Sequence, residues 1–502
     1  MNLIRLRAIA SATFLCASSL FAADDGSRIY PKIAAPEFPD NSVNLTDFGG
    51  KPDGLTLNTA AFENAIAALD AKGGGELVVP AGFWLTGPIK LRSHINLHLL
   101  RGALIKFSSD YTLYPITVID IKGEKEVDTT SPITGMNLDS VAITGDGIID
   151  GSGDRWRPIK KEKMGDADWR ALVRSGGVVS DGGQTWWPSK ETMNGGKLVA
   201  DLRKKGSLNP ADYEPAHQFL RPRLVRLIGC KKVLLEGVTF ENPPNWTLNP
   251  SLCEDVLIQN VTVHNYISAQ NADALDLESC RHAIILDSVF EAGDDGICIK
   301  SGRDAAGRRI GVPTEDVLVK DCTVYHAHGG FVIGSEMSGG VRNVRVDNCT
   351  FIGTDVGLRF KSTRGRGGVV EKIYISNIRM ANIGTDAINF NMYYGGKSPT
   401  DKSGGSSDGD DVPKASVETP QFRDIHITNL VCRGADRAIV LEGLPEMPIR
   451  DITLKDVAIS AYKGVSVTDA EGIKFDNVHV DKEEGDLLTQ VRVKDSSLEL
   501  NQ

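Results

Sequence analysis

Aromatic residues are scarce in this chain, 6% of its 502 residues, whereas glycine is abundant at 52. That balance argues against a helical bundle and for many short strands joined by tight turns. A basic surplus is also missing: Lys and Arg number 56 against 66 Asp and Glu, a formal charge of −10. Nucleic-acid binding draws most of its affinity from cations near phosphates, so no nucleic-acid partner is expected. The eight cysteines contain no CxxC pair and therefore no zinc-ligand spacing. Past the first 23 residues, no apolar run is long enough to cross a bilayer, so no membrane partner is expected either.

Those first 23 residues read as a secretory signal. Arg5 and Arg7 precede the apolar run 8–22, and cleavage is expected after Ala22 or Ala23. The mature chain is then periplasmic or secreted, and more acidic still. It would repel an anionic polymer at long range, so an acidic substrate would need a local cluster of cations. Cys230, Cys253, Cys280, Cys322 and Cys349 recur in step with a repeat, and we read them as buried core positions.

That repeat decides the fold. An eight-residue pattern returns as VLLEGVTF (from Val233), VLIQNVTV (Val256), AIILDSVF (Ala283), VLVKDCTV (Val317) and VRVDNCTF (Val344). It continues as IYISNIRM (Ile373), IHITNLVC (Ile425), ITLKDVAI (Ile452) and IKFDNVHV (Ile473). Apolar and polar residues alternate, as in a strand with one buried face. The central Asn, Asp or Gly breaks the alternation and tolerates left-handed geometry, so it marks a turn. Spacings of 21 to 34 residues, with one of 52, are too short for propeller blades. The pattern predicts an all-β chain, a single parallel β-helix spanning 24–480, followed by a C-terminal tail at 481–502. Residues 58–72 have helical periodicity and suit a cap on the first coil. Two segments interrupt the solenoid: an insertion at 152–222 with Trp156, Trp169, Trp186, Trp187 and part of a helix near 198–206, and a Gly/Ser/Asp-rich stretch at 395–418 expected to be mobile.

Acids fall on successive coils: Asp273 and Asp276 in NADALD, Asp294 and Asp295 in GDDG. Next come His328 and Glu336 in HAHGGFVIGSE, then Arg359 and Lys361 in RFK. Residues one coil apart lie about 4.8 Å apart in space, so these can converge. Two adjacent aspartates repel, which is expected to raise at least one pKa and hold a proton for donation. Glycosidic cleavage needs that division between a carboxylic acid and a carboxylate. Asp276, Asp287 and Asp321 read as ordinary polar turns. Arg359 and Lys361 alternate along a strand and face one side, suiting a sugar carboxylate; Arg364 and Arg366 thicken the patch.

NADALD, GDDGICIKSG, HGGFVIGSE and RFK, in this order, resemble the four signature segments of family 28 glycoside hydrolases, the polygalacturonases. VNLTDFGGKPDG and VVPAGFWLTGPIKL resemble that family's opening coils, and the likeness runs from about 43 to 480 apart from the two insertions. The resemblance implies a right-handed β-helix, no metal or cofactor, and an inverting single displacement. It implies Asp294 as general acid, Asp273 and Asp295 as the pair activating water, His328 as the motif histidine, and Arg359 and Lys361 as binders of the substrate carboxylate. The implied partner is an acidic plant polysaccharide, pectin or an oligogalacturonide, met by a monomer. Ala272, Ala274, Gly296 and Ala327 depart from the family pattern, and HGGFVIGSEMSGG is more similar to exo-acting bacterial members. The alternatives are a rhamnogalacturonan or xylogalacturonan hydrolase, a pectate lyase, and a carbohydrate-binding β-helix without catalysis.

Overall fold

A computed structural model describes residues 32–395 and 412–501. The expected signal and residues 396–411 of the expected mobile stretch lie outside the described residues. What is described is a parallel β-helix, with most strands joined in one 32-stranded sheet. Each coil contributes to three ladders. One runs through Lys231–Glu236, Glu254–Gln259, Arg281–Leu286 and Thr314–Lys320. A second runs through Thr239–Glu241, Thr262–His264, Val289–Glu291 and Thr323–Tyr325. The third, which carries the candidate site, runs through Leu248–Ser251, Leu275–Glu278, Ile297–Lys300, Gly329–Gly334 and Val356–Lys361.

The turn residue of every repeat adopts the left-handed conformation: Gly237, Asn260, Asp287, Asp321, Asn348, Asn377, Asn429, Asp456 and Asn477 all have positive φ. Asn and Asp bear that geometry better than other side chains, because their short polar groups bond locally. The corner then turns the apolar positions inward. Val256, Ala283 and Val317 stack in register, as do Ile258, Ile285 and Val319, all nearly without solvent contact. Burying each such aliphatic side chain contributes roughly 1.5–3 kcal/mol. Seven cysteines among the described residues are buried and unbridged, as core positions. An outward column, Ala142, Leu234, Leu257, Ile284 and Leu318, is covered by Ile33 and Phe38 of the N-terminal arm.

The cap helix Thr59–Asp70 buries Ala61, Phe62, Ala65, Ile66 and Leu69 against the first coils. At the other end the expected tail is instead solenoid: strand Lys474–Lys494 pairs with the strand before it and with Ser497–Asn501. Leu487, Leu488, Val493, Leu498 and Leu500 pack on the core and cover its end, a role that strict alternation does not reveal.

The insertion leaves the solenoid after Ile148–Asp150 and returns at Val225–Ile228. It holds helices Asp166–Arg174 and Lys190–Lys204 and a small antiparallel sheet of Ile159–Lys160, Thr185–Trp187 and Val178–Ser180. A hairpin not foreseen from sequence, Ile116–Ile121 with Glu124–Thr129, shares a core with it through Ile116, Val127, Val199 and Tyr213. Trp156, Trp169 and Trp186 are buried, so these indoles build the insertion and offer no stacking surface to a sugar.

The corner geometry gives a direct test. Asn260 is exposed, with φ 54°. Asn260→Gly should leave stability nearly unchanged, whereas Asn260→Val should cost about 1–2 kcal/mol in denaturant unfolding, because a β-branched residue opposes the left-handed turn. Equal stability of the two variants would detach the turn from that cause.

Candidate active site

Asp273 lies just before Leu275–Glu278, Asp294 and Asp295 just before Ile297–Lys300, and His328 just before Gly329–Gly334. The strands pair through Leu275, Ile297, Phe331 and Leu358, so the same corner of successive coils gathers all four side chains. One oxygen from each of Asp273, Asp294 and Asp295 lies within 4.8 Å of the others. The glycines around the pair serve close approach: a Cβ on Gly293 would sit 2.2 Å from the Ala269 carbonyl oxygen, and one on Gly296 2.5 Å from a Val324 methyl.

Arg359 and Lys361 reach back to this corner. Lys361 Nζ donates to Asp295 Oδ2 at 2.6 Å, and Arg359 Nη1 to Asp295 Oδ1 at 3.4 Å. The ring of Tyr394 stands 5.0 Å from the Lys361 ammonium and 5.7 Å from the Arg359 guanidinium. His328 sits between two carboxylates, with Nδ1 3.4 Å from Asp294 Oδ1 and Nε2 3.4 Å from Asp355 Oδ2. Arg364 and Arg366 do not join the patch. Arg364 forks onto Glu446 at 2.5 and 2.8 Å, and the buried Arg366 bonds Asp304 and the Ser335 carbonyl.

A layer beneath escaped the sequence reading. Asp276, read there as a polar turn, is wholly buried, with Lys300 Nζ 3.5 Å from its Oδ1. Lys300 also donates to Glu336 at 3.0 Å and lies 4.9 Å from the Trp246 ring. Arg221, from the end of the insertion, holds the Gln270 carbonyl and Asn271 Oδ1 at 3.1 and 2.8 Å. The signal was present in register: Glu278 pairs with Lys300 and Asp276 with Cys298, so one outward face carries acids and a cation on adjacent coils.

The electrostatics differ from simple repulsion within the Asp294–Asp295 pair. Burial pushes Asp294 up, but the hydrogen bond and charge of His328, with Lys361 and Lys300, bring it below the ordinary carboxylate range. Burial likewise raises Asp295, and Lys361 and Arg359 more than offset it. Of the three, the carboxyl that rises is Asp273, through burial and then the charges of Asp276, Asp294 and Asp295; beneath it Asp276 rises too, to about 8, because burial outweighs the attraction of Lys300. Its Oδ1 is buried without a hydrogen-bond partner. Chemically, this is a coupled set of three carboxyls able to share one proton, with cations on the neighbouring coils. The same trio offers oxygens in reach of a cation, but both oxygens of Asp295 are already engaged by Lys361 and Arg359.

A cavity of about 550 Å³ opens beside Asp294. It is lined by Lys160, Glu162 and Lys163 of the insertion, by Ile267, Ser268 and Gln270, and by His328, Asp355 and Tyr394.

Residues 164–421 match the family model for glycosyl hydrolases family 28. The chain is 32% identical over 448 residues to a "probable polygalacturonase" of Vitis vinifera, covering 86% of this chain and 78% of that one. It is 28% identical over 451 residues to an exo-poly-alpha-D-galacturonosidase of Dickeya chrysanthemi, covering 87% and 70%. Among solved structures, a hyperthermoactive exopolygalacturonase from Thermotoga maritima superposes with a TM-score of 0.74 at 33% identity, covering 89% of this chain and 94% of that one.

The buried Lys300 gives the site its test. Burial raises the Glu336 carboxyl, but Lys300 overrides this and holds it at about 2, against an ordinary 4.5. A depressed pKa contributes stability that is present above about pH 4.5 and is lost as pH falls towards 2. Glu336→Gln should therefore flatten the acid side of the stability profile. Lys300→Met should cost about 3–5 kcal/mol at neutral pH, because it leaves a buried carboxylate without its cation. Lys300→Met with Glu336→Gln should recover part of that loss in urea unfolding; no recovery would remove the pair as the cause.

Proposed function

Because the chain belongs to glycoside hydrolase family 28, we propose that it hydrolyses the α-1,4-galacturonosidic bonds of polygalacturonate and pectin. In this reading it acts by a single inverting displacement and from chain ends. The observation that carries the reading is the meeting of Arg359 and Lys361 at Asp295, beside Asp273 and Asp294. An otherwise acidic chain places two cations at the one corner where acids converge. A guanidinium and an ammonium side by side suit a uronate, and favour it over a neutral sugar.

The proposed roles follow from exposure and charge. Asp294 lines the cavity, whereas Asp273 and Asp295 are buried behind it. Asp294 is thus the carboxyl that a glycosidic oxygen can reach, and it serves as general acid. Before substrate arrives, the shared proton favours Asp273. A uronate then draws on the charge of Arg359 and Lys361 and adds its own negative charge, which pushes Asp294 up. The proton passes to Asp294 and onto the leaving oxygen, while Asp273, now ionised, accepts a proton from the attacking water alongside Asp295. His328, 3.4 Å from both Asp294 and Asp355, orients the acid.

Nearest oxygens within 4.8 Å are closer than the carboxyl separation of about 6.5–9.5 Å in inverting sites, and nearer the roughly 5–5.5 Å of retaining ones. That observation favours retention as a second reading. Inversion is preferred because both candidate nucleophiles are buried and Asp295 is held by Lys361, so water is the species that can reach the anomeric carbon. Exo action is supported by the insertion, which walls the cavity beside Asp294, and by likeness to the Thermotoga exopolygalacturonase. We place the enzyme in the periplasm or outside the cell, where a polysaccharide is accessible, working as a monomer without a cofactor. Among the described residues, no helix is long and apolar enough to cross a membrane.

Asp294→Asn should lower kcat on oligogalacturonides about 10²–10⁴-fold with thermal unfolding unchanged; near-normal turnover would remove it as the acid. Arg359→Ala and Lys361→Ala should each raise KM for galacturonides, and unchanged kinetics in both would sink the clamp. Proton NMR of the first product should show inversion, a retained anomer meaning a covalent route. Early chromatograms should contain mono- or disaccharides; a broad ladder with rapid loss of viscosity would mean an open groove.

A further inference from the structure

The insertion contributes Lys160, Glu162 and Lys163 to the lining of the cavity, two cations against one acid. Lys160 ends the strand Ile159–Lys160, which is fixed by pairing with Thr185 and the buried Trp186. Lys163 ends the helical turn that follows. The carboxylates beside them stand off: Glu162 lies 3.7 Å from Lys160, and Asp355 lies 4.0 Å from Lys163. Both separations exceed hydrogen-bond length, so these contacts leave the ammonium donors unsatisfied. Glu162 lines the cavity too, with a side chain 69% exposed, and the Asp355 oxygen nearest Lys163 is the one His328 already approaches. Neither acid is within hydrogen-bond distance of a lysine, so the two ammonium groups keep donors for a ligand.

The position of this pair matters as much as its charge. Asp294 and Tyr394 line the cavity, whereas Arg359 and Lys361 do not; those two cations lie against Tyr394 and Asp295 outside it. Two cationic sites thus flank the proposed acid. A galacturonan presents one carboxylate on every sugar, so a chain lying across Asp294 would bring one carboxylate to each site.

We propose that Lys160 and Lys163 form a second carboxylate site, which binds the uronate on the opposite side of the scissile bond from the one held by Arg359 and Lys361. This rests on the hydrolase reading above and extends it. The enzyme then reads two adjacent charges, and a chain with methyl esters or neutral sugars on the insertion side loses one of its two anchors. The contact is electrostatic in an open cavity, so it is also sensitive to salt.

The test measures binding apart from turnover. Trigalacturonate is titrated calorimetrically into Asp294→Asn, which preserves the ligand, and into Asp294→Asn carrying Lys160→Met and Lys163→Met. Loss of the two lysines should raise Kd about tenfold or more and reduce its dependence on salt. Fully methyl-esterified trigalacturonate should bind both proteins equally, because it has no carboxylate to lose. Unchanged Kd for the free acid, or an equal loss for the ester, would overturn the site, as would failure of the Asp294→Asn protein with both lysines intact to bind the trimer. Wild-type turnover of trigalacturonate is scored separately. Lysine-dependent binding without turnover would sink the hydrolase reading and leave the site standing, whereas turnover with lysine-independent binding would do the reverse. Lys160→Met and Lys163→Met, made singly in wild type with thermal unfolding followed, keep the result interpretable: each should raise KM with kcat within about twofold. A fall in kcat at constant KM would place Lys163 in the Asp355–His328 chain instead and overturn the binding role.

Discussion

Parallel register between successive coils, with strands about 4.8 Å apart, is the constraint on which the site depends. Asp276 pairs with Cys298, Cys298 with Val332 and Val332 with Arg359, while Gly334 pairs with Lys361. A slip of one residue in any of these pairings would turn a whole row of side chains to the other face. The left-handed Asn and Asp corners fix where the second-ladder strand of each coil begins, and so hold the register of the coils that carry the site. Residues dozens of positions apart in sequence therefore meet without any long loop having to be ordered at the site.

Stacking acids in this way would be unfavourable without compensation. Burial raises the pKa of a carboxyl, and each neighbouring carboxylate raises it further. The cations that offset this come from later coils, Lys300, Arg359 and Lys361, and from the insertion through Arg221. Their distribution is uneven. Asp295 is held from two sides and Asp294 from one side by His328, whereas Asp273 leaves its buried Oδ1 without a hydrogen-bond partner. That unevenness separates the three carboxyls chemically and lets a proton have a preferred place that a charged ligand can change.

The solenoid and the insertion divide the work. Coils supply the clustered carboxyls and most of their cations, because register fixes which side chains meet. The insertion buries Trp156, Trp169 and Trp186, shares a core of Val199 and Tyr213 with the Ile116–Thr129 hairpin, and contributes Lys160, Glu162 and Lys163 to the lining of the cavity.

The sequence alone determined the coil and its corners, because alternation and left-handed turn residues are local properties with a fixed period. It also determined that Asp273, Asp294, Asp295, His328, Arg359 and Lys361 share one face, since coil stacking converts repeat position into proximity. Tertiary structure decided the rest. Asp276 reads as a turn in sequence but is wholly buried beside Lys300, and Arg364 and Arg366 read as available but are held by Glu446 and Asp304. Which of the three carboxyls rises in pKa depends on burial and on partners from other coils, quantities that no local pattern contains. The final coil and the insertion's contribution to the cavity were hidden for the same reason: both depend on which distant surfaces are left to cover, and that is fixed only when the whole chain has packed.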